Sequence, residues 1–165
     1  MPFSSTASLI NTDMDNMLRG INRDNADHAL TNTVTETTLA SVAIGAGTVG
    51  ATGALHVIAC GTLAGVNNTK TMRLKFGGTT IATITQAAGT TSDWYFDAWM
   101  YNTASNAQRW FVQRNGNDVL TDSFDYTTSA IDTASVQTLL LTGQLANVGD
   151  TITQTMWDVF VIQIQ

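Results

Sequence analysis

The sequence predicts an all-β fold, an antiparallel β-sandwich preceded by a short N-terminal α-helical arm, and three observations carry that expectation. Among 165 residues there are 28 threonines, while Glu36 is the only glutamate and Lys70 and Lys75 are the only lysines. The charged residues that favour helices are therefore almost missing, and a β-branched residue suited to a pleated surface takes their place. From Thr33 onward apolar and polar residues alternate with a period of two. Finally, the pairs Gly77-Gly78 and Asn115-Gly116 stand between alternating runs, where a two-residue hairpin turn demands residues that tolerate positive φ.

Residues 1–31 break this pattern. Ile10, Met14, Met17, Leu18 and Ile21 fall at helical spacing, Asn11 or Thr12 can cap, and Asp13 and Asp15 suit the first turn of a helix. Arg19, Arg23, Asp24 and Asp27 continue that amphipathic helix as a polar stretch that frays between His28 and Thr33. The expected organisation is a helical arm over 1–31 and one sandwich domain over 32–165. Within the domain, strands are expected at 34–44, 54–63, 70–76, 79–83, 94–102, 109–114, 117–124, 136–142 and 151–164, eight or nine in all. The run from Met156 to Ile162 is apolar on both faces, which predicts a central strand covered on both sides. Strands at such spacing without intervening helices favour a sandwich or barrel over an α/β arrangement.

Charge and composition narrow the partners. A net charge of −6 argues against binding a phosphate backbone, which needs clustered Lys and Arg. No run approaches the roughly 18 apolar residues of a membrane-spanning helix, and no basic stretch followed by an apolar one opens the chain, so neither a membrane nor a leader is expected. Cys60 is the only cysteine, which leaves packing or assembly to supply stability.

The chemistry-bearing residues are sparse. His28 and His56 fall in different elements, and His56 and Cys60, four apart on one strand, would lie about 13 Å from each other, too far for a nucleophile and its base. Asp93, Asp97, Asp118, Asp122, Asp125 and Asp132 stand near turns, where aspartates cap backbone groups. The stretch from Asn115 to Asp118 lacks the spacing of a calcium loop, and no phosphate-cradling glycine pattern is present. The expectation is a protein without catalytic residues, metal or cofactor. One strand stands out. Trp94, Phe96, Ala98 and Met100 form an apolar face, and Tyr95, Asp97, Trp99 and Tyr101 form a second face that is aromatic and acidic. That second face suits a core beneath a loop, a subunit interface, or a platform on which sugars stack while Asp97 accepts from hydroxyls.

The segment Asn32-Thr33-Val34-Thr35-Glu36-Thr37-Thr38-Leu39, the Gly/Ala-rich link to Leu55-His56-Val57-Ile58-Ala59-Cys60-Gly61, the strand 70–76 with its Gly-Gly turn, and the closing Asp150-Thr151-Ile152-Thr153 resemble tailed-bacteriophage virion structural proteins of the jelly-roll type. The resemblance covers residues 32–165 and has no catalytic signature. It implies a Thr-rich jelly roll that trimerises, located in the virion after assembly in the host cytoplasm. The leading expectation is a capsid decoration (cement) protein on the capsid exterior, binding the major capsid protein or other virion proteins through Ile10, Met14, Met17, Leu18 and Ile21 of the arm. The alternative is a tail-fibre or tail-tip module that binds host carbohydrate through Tyr95, Trp99 and Tyr101.

Overall fold

A computed structural model describes residues 18–66, 68–88, 92–116 and 123–162. The described chain is eleven strands: β1 (Arg19–Asp24), β2 (His28–Thr31), β3 (Thr37–Ile44), β4 (Ala54–Ala64), β5 (Asn68–Phe76), β6 (Thr79–Ala88), β7 (Ser92–Ala104), β8 (Ala107–Gly116), β9 (Ser123–Ser129), β10 (Gln137–Leu145) and β11 (Thr151–Ile162). They form two sheets. The larger runs β1-β11-β4-β7-β8-β9, with β2 also on β11, and the smaller runs β3-β10-β5-β6. All pairings are antiparallel, and β2 with β11, β3 with β10, β4 with β7, and β5 with β6 make nested pairs divided between the two sheets. That arrangement is a jelly roll. The β8–β9 hairpin widens one of its sheets.

Alternation explains the core. Leu55, Val57, Ala59 and Leu63 of β4, Trp94, Phe96, Ala98 and Met100 of β7, and Met72, Leu74 and Phe76 of β5 all face inward and are buried. Trp110 and Trp157 join them from β8 and β11. The turn at Gly77 and Gly78 is as expected, with φ of 52° and 81° closing the register of Phe76 on Thr79. The final strand is indeed interior, since β11 has β4 on one side and both β1 and β2 on the other.

Two expectations are corrected. Residues 19–24 and 28–31 are strands, not the polar end of a helix, so the described sandwich starts at Arg19 rather than at residue 32. The flank of β11 must hydrogen-bond to something, and this segment satisfies it, with Ile21 packing against the core, Leu30 buried, and Arg23 paired with Asp158. Ile10, Met14 and Met17, which carry the rest of the expected helix, lie outside the described residues. Leu18, just ahead of β1, is exposed. Second, Asn115 and Gly116 form no tight turn; they extend β8 and pair with Tyr95 and Trp94. The long neighbour β7 offers ladder bonds along its length, and these outweigh the local turn preference. The two-residue turn lies instead at Ser105 and Asn106, between Ala104 and its partner Ala107. Within residues 32–165 the described strands are nine, β3 to β11, as expected, and β1 and β2 bring the described total to eleven.

The smaller sheet is clasped on its outer side by Glu36, immediately before β3. Its Oε1 accepts from Lys75 Nζ and, at 2.7 Å, from the Thr142 hydroxyl, while Oε2 lies 3.2 Å from Arg73 Nη1. The Lys75 hydrogen bond first, and then that of Thr142, hold the carboxyl below its ordinary value of 4.5. A carboxylate depressed in the folded state contributes stability that is complete above its unfolded value and fades as pH falls through the lower folded one. Glu36→Gln should therefore cost no more than about 1 kcal/mol near neutrality, the clasp being partly solvated. Below pH 4.5 the cost should shrink. Melting curves of both chains should converge as the solution is acidified; a constant gap would contradict this.

Candidate functional site

The outward side of the larger sheet is a lattice in which each strand contributes every second residue and the register sets the rows. One row crosses the sheet as Gly20, Phe160, His56, Trp99, Phe111 and Tyr126, each directly opposite the next. Five consecutive strands, β11, β4, β7, β8 and β9, thus each place an aromatic ring in one line. The rings touch. His56 stacks on Trp99 with centroids 3.9 Å apart and planes 12° from parallel, and Phe160 stacks on the other side of His56 at 6.0 Å. Tyr101, one position along β7, stacks on Trp99 at 6.2 Å and meets the edge of Phe111 at 6.0 Å. Phe111 in turn contacts Tyr126 at 5.4 Å and Phe124 at 5.9 Å.

The neighbouring row is mostly polar. It reads Arg23, Asp158, Ile58, Asp97, Gln113 and Phe124. It runs parallel to the aromatic row about 7 Å away, the distance of two residues along a strand. Arg23 Nε and Nη2 reach the two carboxylate oxygens of Asp158 at 3.2 and 3.3 Å. Asp97 Oδ1 lies 2.8 Å from His56 Nε2, which fixes the imidazole in the stack while the Asp97 side chain stays 41% exposed. On the far side of the aromatic row, Arg109 stands opposite Tyr101. At the β1 end the row opens into a cleft lined by Gly20, Ile21, Asn22, Arg23 and Phe160.

No described strand lies over this face, and its outer aromatics are open to solvent: Phe124 is 67% exposed and Tyr126 56%. Large apolar groups gathered on an accessible surface are the mark of a binding site rather than of stability. The combination is a packed patch of rings, covering one another's faces at His56 and Trp99 and open to solvent at Tyr101, Phe124 and Tyr126, bordered by carboxylate, amide and guanidinium groups that offer directional hydrogen bonds.

The structure brings together two of the three residues expected on the aromatic strand, Trp99 and Tyr101. Tyr95 lies two rows away, opposite Cys60 and Asn115. Of the arm residues, Ile21 serves the core. His56, Phe111, Phe124, Tyr126 and Phe160 join the site without having been expected there. One signal was readable, since Phe124 and Tyr126 are aromatics at alternate positions of an otherwise polar strand, Ser123-Phe124-Asp125-Tyr126-Thr127. Cys60 stands 3.7 Å from the Thr155 hydroxyl, and His56 faces Asp97 instead of the thiol.

No protein-family model matches the chain, and no curated protein matches its sequence. Among solved structures it is similar to the CBM2 module of the evolved Dit of Lactobacillus casei BL23 phage J-1, with 9% identity, a TM-score of 0.42, and coverage of 76% of this chain and 69% of that one. It is similar also to a seed lectin of Lotus tetragonolobus, at 8% identity and TM-score 0.44 over 90% of this chain and 94% of the lectin. The lectin UEA-II complexed with galactose gives 8% identity and TM-score 0.42 over 88% and 92%. At these identities and TM-scores no site transfers from one protein to another.

Proposed function

We propose that this chain is a non-catalytic binding module of a tailed-phage particle and that the outward face of its larger sheet holds host-surface carbohydrate. The observation that carries the reading is the aromatic row with a polar row beside it. Sugars present apolar C–H faces and peripheral hydroxyls, so they are bound by rings that stack and by side chains that accept or donate around them. The exposed rings of Tyr101, Phe124 and Tyr126 supply the first kind of group, held in place by the stacked Trp99 and His56 beside them, and Asp97, Gln113 and Arg109 supply the second. The phage setting rests on the resemblance of residues 32–165, and a tail-fibre or tail-tip position suits a carbohydrate-binding role. Assembly as a trimer would place several such faces on one particle, where avidity multiplies weak individual contacts.

Electrophoresis of the folded chain through gels containing neutral, anionic and cationic polysaccharides tests the reading. Retardation by at least one polymer is the expected result, with its loss in Trp99→Ala. Migration unaffected by every polymer, together with saturable binding to assembled capsids, would replace this reading by the decoration role.

A further inference from the structure

We infer that the sugar held on this face carries a carboxylate, as uronic and sialic acids do, and that Arg109 receives it. This rests on the carbohydrate reading above and names the class of its ligand. The cations of the chain single Arg109 out. Five of the seven basic residues face a carboxylate: Arg23 faces Asp158, Lys70 faces Asp150, Arg73 and Lys75 share Glu36, and Arg114 faces Asp125. Arg19 and Arg109 have no such partner among the described residues. Arg19 stands opposite Val161, on the inward side of the sheet at its edge. Arg109 is exposed and stands on the outward side, in the row next to the aromatic one. It is therefore the one cation of the binding face whose charge the fold leaves unmatched among the described residues.

The neighbours of Arg109 suit an anion. Tyr101 of β7 and Thr128 of β9 lie directly opposite it on either side, with Cβ atoms about 5 Å away, and Tyr126 is a diagonal neighbour at about 7 Å. Each of the three has a hydroxyl that can donate, and the guanidinium donates only. The carboxylate of Asp97 is on the other side of Trp99, four residues along β7 from Tyr101 and so about 13 Å from it, and it is engaged by His56. The rings of Tyr101 and Tyr126, 41% and 56% exposed, flank the guanidinium. A pyranose can thus lay its C–H groups against a tyrosine while a carboxylate one bond outside its ring reaches Arg109.

Charge and geometry favour a carboxylate over a neutral sugar. A neutral ligand on this corner would take water from a guanidinium without returning a counter-charge, which is unfavourable. A carboxylate returns both the charge and two oxygens that match the parallel N–H groups of the fork. The chain as a whole carries −6, which opposes an anion at long range. At physiological salt that field is screened beyond about 8 Å, so the nearby Arg109 decides the local balance and the Asp97 charge does not.

The experiment uses the full chain with four carboxylated polymers (hyaluronan, polygalacturonate, alginate and polysialic acid), two neutral ones (dextran and galactomannan) and dextran sulfate, with affinity read by calorimetry. At least one carboxylated polymer should bind more tightly than every neutral one and more tightly than dextran sulfate. Reducing the carboxyl groups of that polymer to alcohols, which keeps its backbone, should weaken binding by about ten-fold or more. Arg109→Gln should weaken binding of the unreduced polymer by a similar factor and should no longer distinguish it from the reduced one, while Arg109→Lys, which keeps the charge without the fork, should fall between. Tightest binding to a neutral polymer, equal or tighter binding of dextran sulfate, or an undiminished loss on carboxyl reduction in Arg109→Gln would overturn the inference and leave the carbohydrate reading standing. Failure to bind any polysaccharide would remove both.

Discussion

Trp99→Ala is expected to weaken binding to a retained polysaccharide by about 2 kcal/mol, roughly thirty-fold, because it removes the ring at the centre of the row. Trp99 is stacked on His56 on one side and on Tyr101 on the other, so its loss also frees two further rings from their fixed positions. Stability should change much less. The side chain lies on the outward face while the core beneath is filled by Ala98 and Met100 of the same strand, both fully buried. Truncating a partly buried residue that leaves no core cavity costs about 1 kcal/mol or less. Trp99→Phe keeps a flat ring and should retain most of the affinity. Equal losses of stability and binding in Trp99→Ala would mean that the ring serves the fold, as a core face beneath a loop would.

Lys70→Met is expected to have the largest effect on folding, about 3–5 kcal/mol, the cost of leaving a buried charge without its partner. Lys70 and Asp150 are both fully buried, with Lys70 Nζ 3.4 Å from Asp150 Oδ1. Around them the backbone closes a knot. Lys70 Nζ donates to the Val66 and Asn68 carbonyl oxygens at 2.9 and 3.2 Å, and Val66 N donates to Asp150 Oδ1 at 2.8 Å. Gly65 belongs to it as well, since its φ of +122° is open to glycine and a Cβ there would collide with the Asp150 carboxylate. These contacts tie the β4–β5 connection to the residue just ahead of β11, and so join the two sheets at one end of the sandwich. Total stabilities of single domains are about 5–15 kcal/mol, so such a loss can unfold much of the population at physiological temperature. The double variant Lys70→Met with Asp150→Asn removes both charges and should recover part of the loss in urea denaturation. A cost for Lys70→Met below about 1 kcal/mol would show that the pair is hydrated in solution.

How far the sequence could reach depended on whether a feature ran along a strand or across several. Along a strand the period of two suffices. It placed Met72, Leu74 and Phe76 in the core, put Lys70 on that same inward face, and separated Trp94, Phe96, Ala98 and Met100 from Trp99 and Tyr101. Glycine chemistry located the Gly77-Gly78 turn for the same local reason. Features that depend on pairing were beyond it. The strand at 19–24 is short and polar, and its reason to be extended is an edge of β11 more than a hundred residues later. Nothing near Lys70 indicates Asp150, and nothing near Trp99 indicates Phe160, because register is decided by the whole sheet. The aromatic row is a property of five strands at once, and a single strand displays only its β7 members and the alternation of Phe124 and Tyr126 in β9.

The tryptophans give the most direct test of the outer face as the binding platform. Trp94, Trp110 and Trp157 are at most 1% exposed, which leaves Trp99 as the one of the four on the solvent side. Oxidation of the folded chain with N-bromosuccinimide should therefore modify Trp99 first, as read by peptide mass spectrometry. Saturating the chain with the polysaccharide that retards it should then protect Trp99 and leave the reaction of the other three unchanged. Saturable binding with Trp99 oxidised at its unliganded rate would place the site elsewhere and contradict the account.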